Sequence, residues 1–154
     1  MKSRIRFLGH PMHPPLTDFP LALWSMSLLC DLVGLWLRDL FWLRVGYWGV
    51  VAGLVLAVPT VFAGSIDYLA MPTSHPARPT ATRHMILMAA AAVAFAASLV
   101  VRGGPQPVLG ASAYVATFLS AAGVAALVVG GWFGGHLVFH YGIGREPSGE
   151  SSEA

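Results

Sequence analysis

Charge is the scarcest property of this sequence: 10% of its 154 residues are Asp, Glu, Lys or Arg, while 56% are hydrophobic. A soluble domain carries roughly 25% charged residues, so this composition excludes a soluble globular enzyme and a disordered chain. The formal net charge of +2 is too small for a polyanion-binding surface, which excludes nucleic acid as a partner. The sequence therefore indicates an integral membrane protein whose first partner is the lipid bilayer.

Cysteine is also scarce, because Cys30 is the one cysteine of the chain. A single thiol excludes a disulfide framework and a cysteine-based zinc or iron–sulfur site. Histidine is frequent by comparison, with six histidines against nine lysines and arginines. The candidate chemistry of this chain therefore rests on imidazole.

Four segments reach the ~20 apolar residues that a transmembrane helix needs. They span about 19–37, 45–69, 85–101 and 114–139. We predict an all-α, four-helix membrane bundle over residues 1–145, followed by a polar tail, residues 146–154, that is expected to be disordered. The basic N-terminus has no small-residue cleavage site after the first apolar run, so the first span is expected to be retained. The four spans share no common pattern that would indicate an internal repeat.

The distribution of lysine and arginine predicts the orientation of the bundle. With four spans, both termini and the middle loop lie on one side of the membrane. That side holds Lys2, Arg4, Arg6, Arg78, Arg83 and Arg145, and the other side holds Arg38, Arg44 and Arg102. The positive-inside rule then places both termini in the cytoplasm.

All six histidines fall on the same predicted face, the one that carries the termini. They are His10, His13, His75, His84, His136 and His140. For His75, in a proline-rich loop, an ordinary interfacial position is a sufficient explanation. The other five come from three chain regions that a bundle brings together, and ionisable groups in such bundles usually serve a function. We therefore predict a functional site at this end.

The spacing of the histidines separates two kinds of site. His136 and His140 are four residues apart on one helix face, a spacing that suits chelation of a single transition-metal ion. A haem instead takes its two axial ligands from opposite sides, and so from different helices. His84 on the third span and His136 on the fourth meet that requirement, with His10 or His13 as a further ligand.

Two carboxylates lie at the level of the predicted site. Asp18 begins the first span and Asp67 is near the end of the second. Either accepts the second ring N–H of a ligand histidine, or pairs with Arg78 or Arg83. Asp31 lies deeper in the first span, where a carboxylate needs a polar bundle interior or an arginine partner at the far interface, Arg38 or Arg44.

The N-terminal segment His10-Pro11-Met12-His13-Pro14-Pro15 contains two His–Pro steps. A residue before proline is biased towards extended structure. We therefore expect a stiff, non-helical strap before the first span, with Thr17 or Asp18 as the helix N-cap.

Glycines form small-residue faces on the second and fourth spans. They are Gly46, Gly49 and Gly53, and the run Gly130-Gly131-Trp132-Phe133-Gly134-Gly135. Such faces let helices approach closely, within the bundle or between copies in a homo-oligomer. A second interpretation is that the later glycines clear space for a flat macrocycle beside His136.

Several motifs carry a family resemblance. They are Gly9-His10-Pro11-Met12-His13-Pro14, Gly64-Ser65-Ile66-Asp67-Tyr68, Ala77-Arg78 through Arg83-His84, Gly131-Trp132-Phe133-Gly134-Gly135-His136-Leu137-Val138 and Gly142-Ile143-Gly144. In them the chain resembles the bacterial membrane proteins called domain of unknown function 2231. The resemblance implies a four-helix protein of the bacterial inner membrane. Some members of that family are joined to Rieske-type iron–sulfur domains, which implies electron transfer and haem.

Three functions remain open on the sequence alone. The first is a small b-type cytochrome, in which two of His10, His13, His84 and His136 hold haem b and pass electrons to a quinone or a redox membrane subunit. The second is a non-haem metal protein that uses the same histidines, with His136 and His140 as the chelate. The third is a cofactor-free accessory subunit of a membrane complex. Whether the chain is an enzyme, and with which catalytic residues, stays undecided.

Overall fold

The fold is known from a computed structural model, which describes residues 6–7 and 10–144, with backbone alone for residues 6, 7, 10 and 11. Four helices make up the architecture: α1 (His13–Leu37), α2 (Leu40–Leu69), α3 (Arg78–Arg102) and α4 (Ala111–Phe139). A two-residue antiparallel pair precedes them, in which Arg6–Phe7 (β1) lies against His10–Pro11 (β2). All four helices are long and apolar enough to cross a membrane, which confirms the predicted four-helix membrane fold.

Each helix begins earlier than its predicted span. The largest differences are in α1, which begins at His13 rather than residue 19, and in α3, which begins at Arg78 rather than residue 85. Both helices have proline in the first turn, where a missing N–H leaves no helical bond unmade. The expectation of a non-helical strap is therefore wrong from His13 onwards, and Met12 takes the N-cap position. The predicted tail lies outside the described residues.

The helices pack as two antiparallel hairpins. The most extensive contacts join α1 to α2 and α3 to α4, and smaller contacts join α1 to α4 and α2 to α3. Tight turns close the first hairpin: Arg38 adopts a left-handed conformation, and the Asp39 carboxylate accepts the Phe41 N–H at 2.9 Å. Because α1 and α3 belong to different hairpins, any contact between them crosses the interface between the hairpins.

The two hairpins make equivalent contacts at nearly the same sequence offset. At the centre of the bundle, Trp24 of α1 stacks on Phe95 of α3, with ring centres 4.6 Å apart and planes 10° apart. Gly53 of α2 lies against the Trp24 ring, and Gly123 of α4 lies against the Phe95 ring. The offset is 71 residues between α1 and α3 and 70 between α2 and α4. The contacts therefore repeat from one hairpin to the other, a correspondence that the pattern of the four spans did not predict.

The glycine faces are used inside the chain. Gly46, Gly49 and Gly53 lie against α1, while Gly130 and Gly134 lie against α3. This confirms close helix approach as their role within the bundle. Gly131, by contrast, has open space where a side chain would project. The outward faces of the helices carry large exposed apolar side chains, as expected of a lipid-facing surface.

Candidate functional site

His13 is fixed by α2 at the end of the bundle where α1 begins. Its Nδ1 lies 3.1 Å from the carbonyl oxygen of Thr60, and since a carbonyl only accepts, Nδ1 carries the proton and donates. Thr60 is itself held, because its hydroxyl donates to the carbonyl of Leu16 at 2.9 Å. A Cβ at Gly64 would come within 2.7 Å of the His13 Cε1. The ring therefore packs directly on the glycine backbone. Because Nδ1 bonds to Thr60, Nε2 is the ring nitrogen that could bind a ligand.

His84 repeats this arrangement in the second hairpin. Its Nδ1 donates to the carbonyl oxygen of Gly130 on α4 at 2.8 Å. A Cβ at Gly134 would lie 3.0 Å from the His84 Cε1, so this ring also packs on glycine. The glycine predicted to clear space beside His136 thus lies against His84 instead.

The two anchored imidazoles face each other across the hairpin interface. The ring centres of His13 and His84 are 6.5 Å apart, and the ring planes are 88° apart. Both side chains are half-buried. The pair joins α1 to α3, so the structure brings together two of the four predicted cofactor ligands, from two different helices.

This separation distinguishes between two coordination geometries. A metal–imidazole bond is roughly 2.0 Å long, and the ligand nitrogen lies about 1.2 Å from the ring centre. Two rings on opposite sides of one ion then have centres about 6.4 Å apart, and two rings at a tetrahedral angle have centres about 5.2 Å apart. The observed 6.5 Å lies nearer to the first of these separations. By the distance between ring centres, the pair is compatible with two imidazoles that hold one group from opposite sides.

His136 and His140 form a separate cluster at the end of α4. Their rings stack with centres 4.5 Å apart and planes 10° apart, and Tyr141 contacts both edge-on. The lone pairs of parallel rings run side by side and do not converge on one ion. Among the described ring contacts, His84 meets His13 and not His136. The observed rotamers therefore do not form the single-ion chelate that the spacing predicts.

The remaining predicted site residues have other surroundings. The side chain of His10 lies outside the described part of the chain, so its role as a ligand stays a prediction. His75 closes its loop by accepting the Ala77 N–H at 3.1 Å, in line with the structural role expected of it. Asp18 is exposed. Asp67 is close enough to His13 to act on it electrostatically.

Backbone carbonyls accept the ring N–H groups of His13 and His84, a role for which the sequence had offered Asp18 and Asp67 as one of two alternatives. Thr60 and Gly130 provide the acceptors for the ring N–H groups. Arg78, considered as a partner of the carboxylates, donates to the carbonyls of Tyr68 and Met71 and lies over the Tyr68 ring. It therefore caps the end of α2.

The histidine pair provides only two protein ligands. In the part of the chain that the structure describes, no three His, Cys, Asp or Glu side chains are grouped to hold a metal ion. Zinc and iron fill about four to six positions. A porphyrin supplies four nitrogens in a plane and leaves two positions open, which is the number of imidazoles in the pair. The number of ligands in the pair is therefore compatible with a haem.

A family model described as "Predicted membrane protein (DUF2231)" matches residues 9–147. The chain belongs to this family. The match confirms the resemblance drawn from the terminal motifs, and it covers every residue of the histidine pair and its glycine supports. No curated protein and no solved structure matches the chain significantly.

Proposed function

We propose that this protein of the DUF2231 family binds one b-type haem between His13 and His84 and serves in membrane electron transfer. The observation that supports it is the 6.5 Å separation of two imidazoles from different hairpins, each held by a backbone carbonyl through Nδ1. Bound haem supplies one-electron oxidation and reduction of its iron. The protein's part is to hold, orient and tune it.

The carbonyl bonds orient and tune the ligands. A proton fixed on Nδ1 leaves Nε2 as the ligand atom and makes it a stronger electron donor. Stronger donation favours the oxidised iron, so Thr60 and Gly130 lower the reduction potential of the site. Their carbonyls also fix the ring orientations before any ligand arrives, which reduces the entropy lost on binding.

The site lies at the membrane face that holds both termini. We place this face on the cytoplasmic side of a bacterial inner membrane. Arg102 on the other side has an 8% exposed side chain paired with Asp31. Arg38 and Arg44 are therefore the remaining loop charges on that side. This increases the difference in positive charge between the two faces, on which the positive-inside rule depends. A site at one face passes electrons to a quinone or to a redox subunit docked there.

Protein purified from its native membrane tests this proposal. We expect a dithionite-reduced minus oxidised spectrum with the sharp bands of a six-coordinate b-type haem, and one haem per chain by pyridine haemochrome assay. Stoichiometric metal without haem would instead favour the non-haem metal protein. Neither haem nor metal would leave the cofactor-free accessory subunit.

Alanine at Gly134 is expected to weaken haem binding, because its methyl group would press on the His84 ring from 3.0 Å. Gly135 is the matched control, since a Cβ there meets nothing closer than Phe139 at 3.9 Å. Displacing a supported ligand costs roughly 10- to 100-fold in affinity. Haem titration of the purified apoproteins measures this. Equal affinities for Gly134→Ala and Gly135→Ala would contradict the assignment of His84.

A further inference from the structure

The equivalence of the two hairpins places a charge pair at the other end of the same interface. Asp31 lies in α1 as far beyond His13 as Arg102 lies in α3 beyond His84. Five helical turns, about 27 Å, separate each histidine from the charged residue of its own helix. The interface between hairpins thus has histidines at one end, the Trp24–Phe95 stack in the middle and opposite charges at the far end.

All four helices meet at Asp31. Its carboxylate, which is 0% exposed, accepts two bonds from the Arg102 guanidinium of α3, one of them at 2.8 Å. A side chain at Gly46 of α2 would collide with the carboxylate. The same guanidinium donates to Ser120 of α4 at 3.3 Å and to Ser98 of α3 at 3.3 Å.

This charge pair is the directional element of the interface. An aromatic stack tolerates sliding and rotation, and apolar surfaces in lipid gain little from one register over another. A bidentate arginine–carboxylate pair has one favourable geometry. Replacing such a buried pair by apolar residues often costs little stability, and in some proteins a buried polar group fixes the register. The pair therefore restricts the hairpins to one register.

The opposite charges also select which hairpins pair. Asp31 and Arg102 occupy equivalent positions, so two copies of the first hairpin would bring two carboxylates together, and two copies of the second would bring two guanidinium groups together. Like charges at this contact are unfavourable. The first hairpin therefore pairs with the second, which is the pairing that joins His13 to His84.

We propose that Asp31 and Arg102 are positioning residues that fix the register of the two hairpins and thereby hold His13 and His84 at the separation that a bis-imidazole site requires. The consequence for the histidines rests on the proposed haem function, while the register itself does not. The pair acts through rigid helices and touches no cofactor.

The decisive variant is the double substitution Asp31→Asn with Arg102→Gln. It removes both charges at once, so no unpaired charge is left buried, and we expect the fold to be retained. Arg102→Lys is the conservative variant that keeps the charge. Asp39→Asn is the matched control, because an amide oxygen at that N-cap still accepts the Phe41 N–H.

Register is measured without reference to haem. Nitroxide labels at Phe19 and Ala90, which are exposed and equivalent positions near the histidine end, report the α1–α3 distance by pulsed electron paramagnetic resonance in lipid, with Cys30 replaced by alanine. We expect one narrow distance distribution in the parent, Asp39→Asn and Arg102→Lys proteins. The double variant is expected to lose it and to lose the six-coordinate haem spectrum.

The outcomes separate this proposal from the proposed function. A narrow, unshifted distribution in the double variant would overturn the role of the pair in register. A broadened distribution with an intact haem spectrum would overturn its consequence for the histidines. If the parent protein carries no haem, the haem function fails, while a broadened distribution in the double variant still supports the register.

Discussion

Alanine at His84 or at His13 is expected to remove haem from the protein. The two imidazoles are the proposed ligands of one haem, so loss of either would leave the haem with a single protein ligand. The affinity should fall by more than the roughly 10- to 100-fold that loss of an outer hydrogen-bond partner costs. Because the two histidines occupy equivalent places on α1 and α3, the effects should be similar. Haem content and the reduced spectrum of each purified variant measure them.

Alanine at His136 or His140 provides the control for this experiment. These two rings stack on each other beside Tyr141 at the end of α4, so their removal should leave haem content and spectrum unchanged. Retention of haem in His13→Ala together with its loss in His136→Ala would reverse the assignment. That outcome would support His84 and His136 as the ligand pair, which the sequence favours because the two residues lie on different helices.

The spans were predictable because apolar length is a local property of a sequence. The helix starts were not, since His13 to Asp18 and Arg78 to His84 contain prolines and polar residues that resemble loops. Those residues extend α1 and α3 beyond the apolar spans, where proline fits the first turn. Hydropathy detects the part of a helix that lipid covers and misses the rest.

The gathering of histidines at one end could be predicted, because it follows from topology alone. Which of them meet depends on the rotation of each helix about its axis, and the spans offered no strong amphipathic face to fix it. The sequence also could not predict that the backbone carbonyls of Thr60 and Gly130 accept the imidazole N–H groups, because every residue type has a backbone carbonyl.

One signal for the pairing was present in the sequence. His13, Trp24, Ser27 and Asp31 have the same spacing as His84, Phe95, Ser98 and Arg102. The identities change at two of the four positions, from Trp to Phe and from Asp to Arg, which conceals the repeat from a comparison by residue type. Contacts reveal it, because each changed pair meets across the hairpin interface.

A large loss of stability is expected from Gly53→Ala. A Cβ at this position would lie 2.5 Å from the Trp24 Cδ1, and Trp24 has little room to yield because it is 3% exposed and stacked on Phe95. Overpacking of a core costs about 1–3 kcal/mol, and this site should lie near the upper value. At roughly 2–4 °C per kcal/mol for a chain of this size, the thermal midpoint in detergent should fall by about 6–12 °C.

Gly131→Ala is the matched control and Gly123→Ala the matched repeat. Gly131 has open space around a Cβ, so alanine there should be neutral or slightly stabilising through helix propensity. Gly123 is the equivalent of Gly53, with a Cβ 2.6 Å from the Phe95 ring, so its substitution should lower the midpoint comparably. Tryptophan fluorescence during heating measures all three. No loss in Gly123→Ala would contradict the equivalence of the two hairpins, since equivalent glycines must tolerate a methyl group equally badly. A large loss in Gly131→Ala would contradict the open space around that glycine.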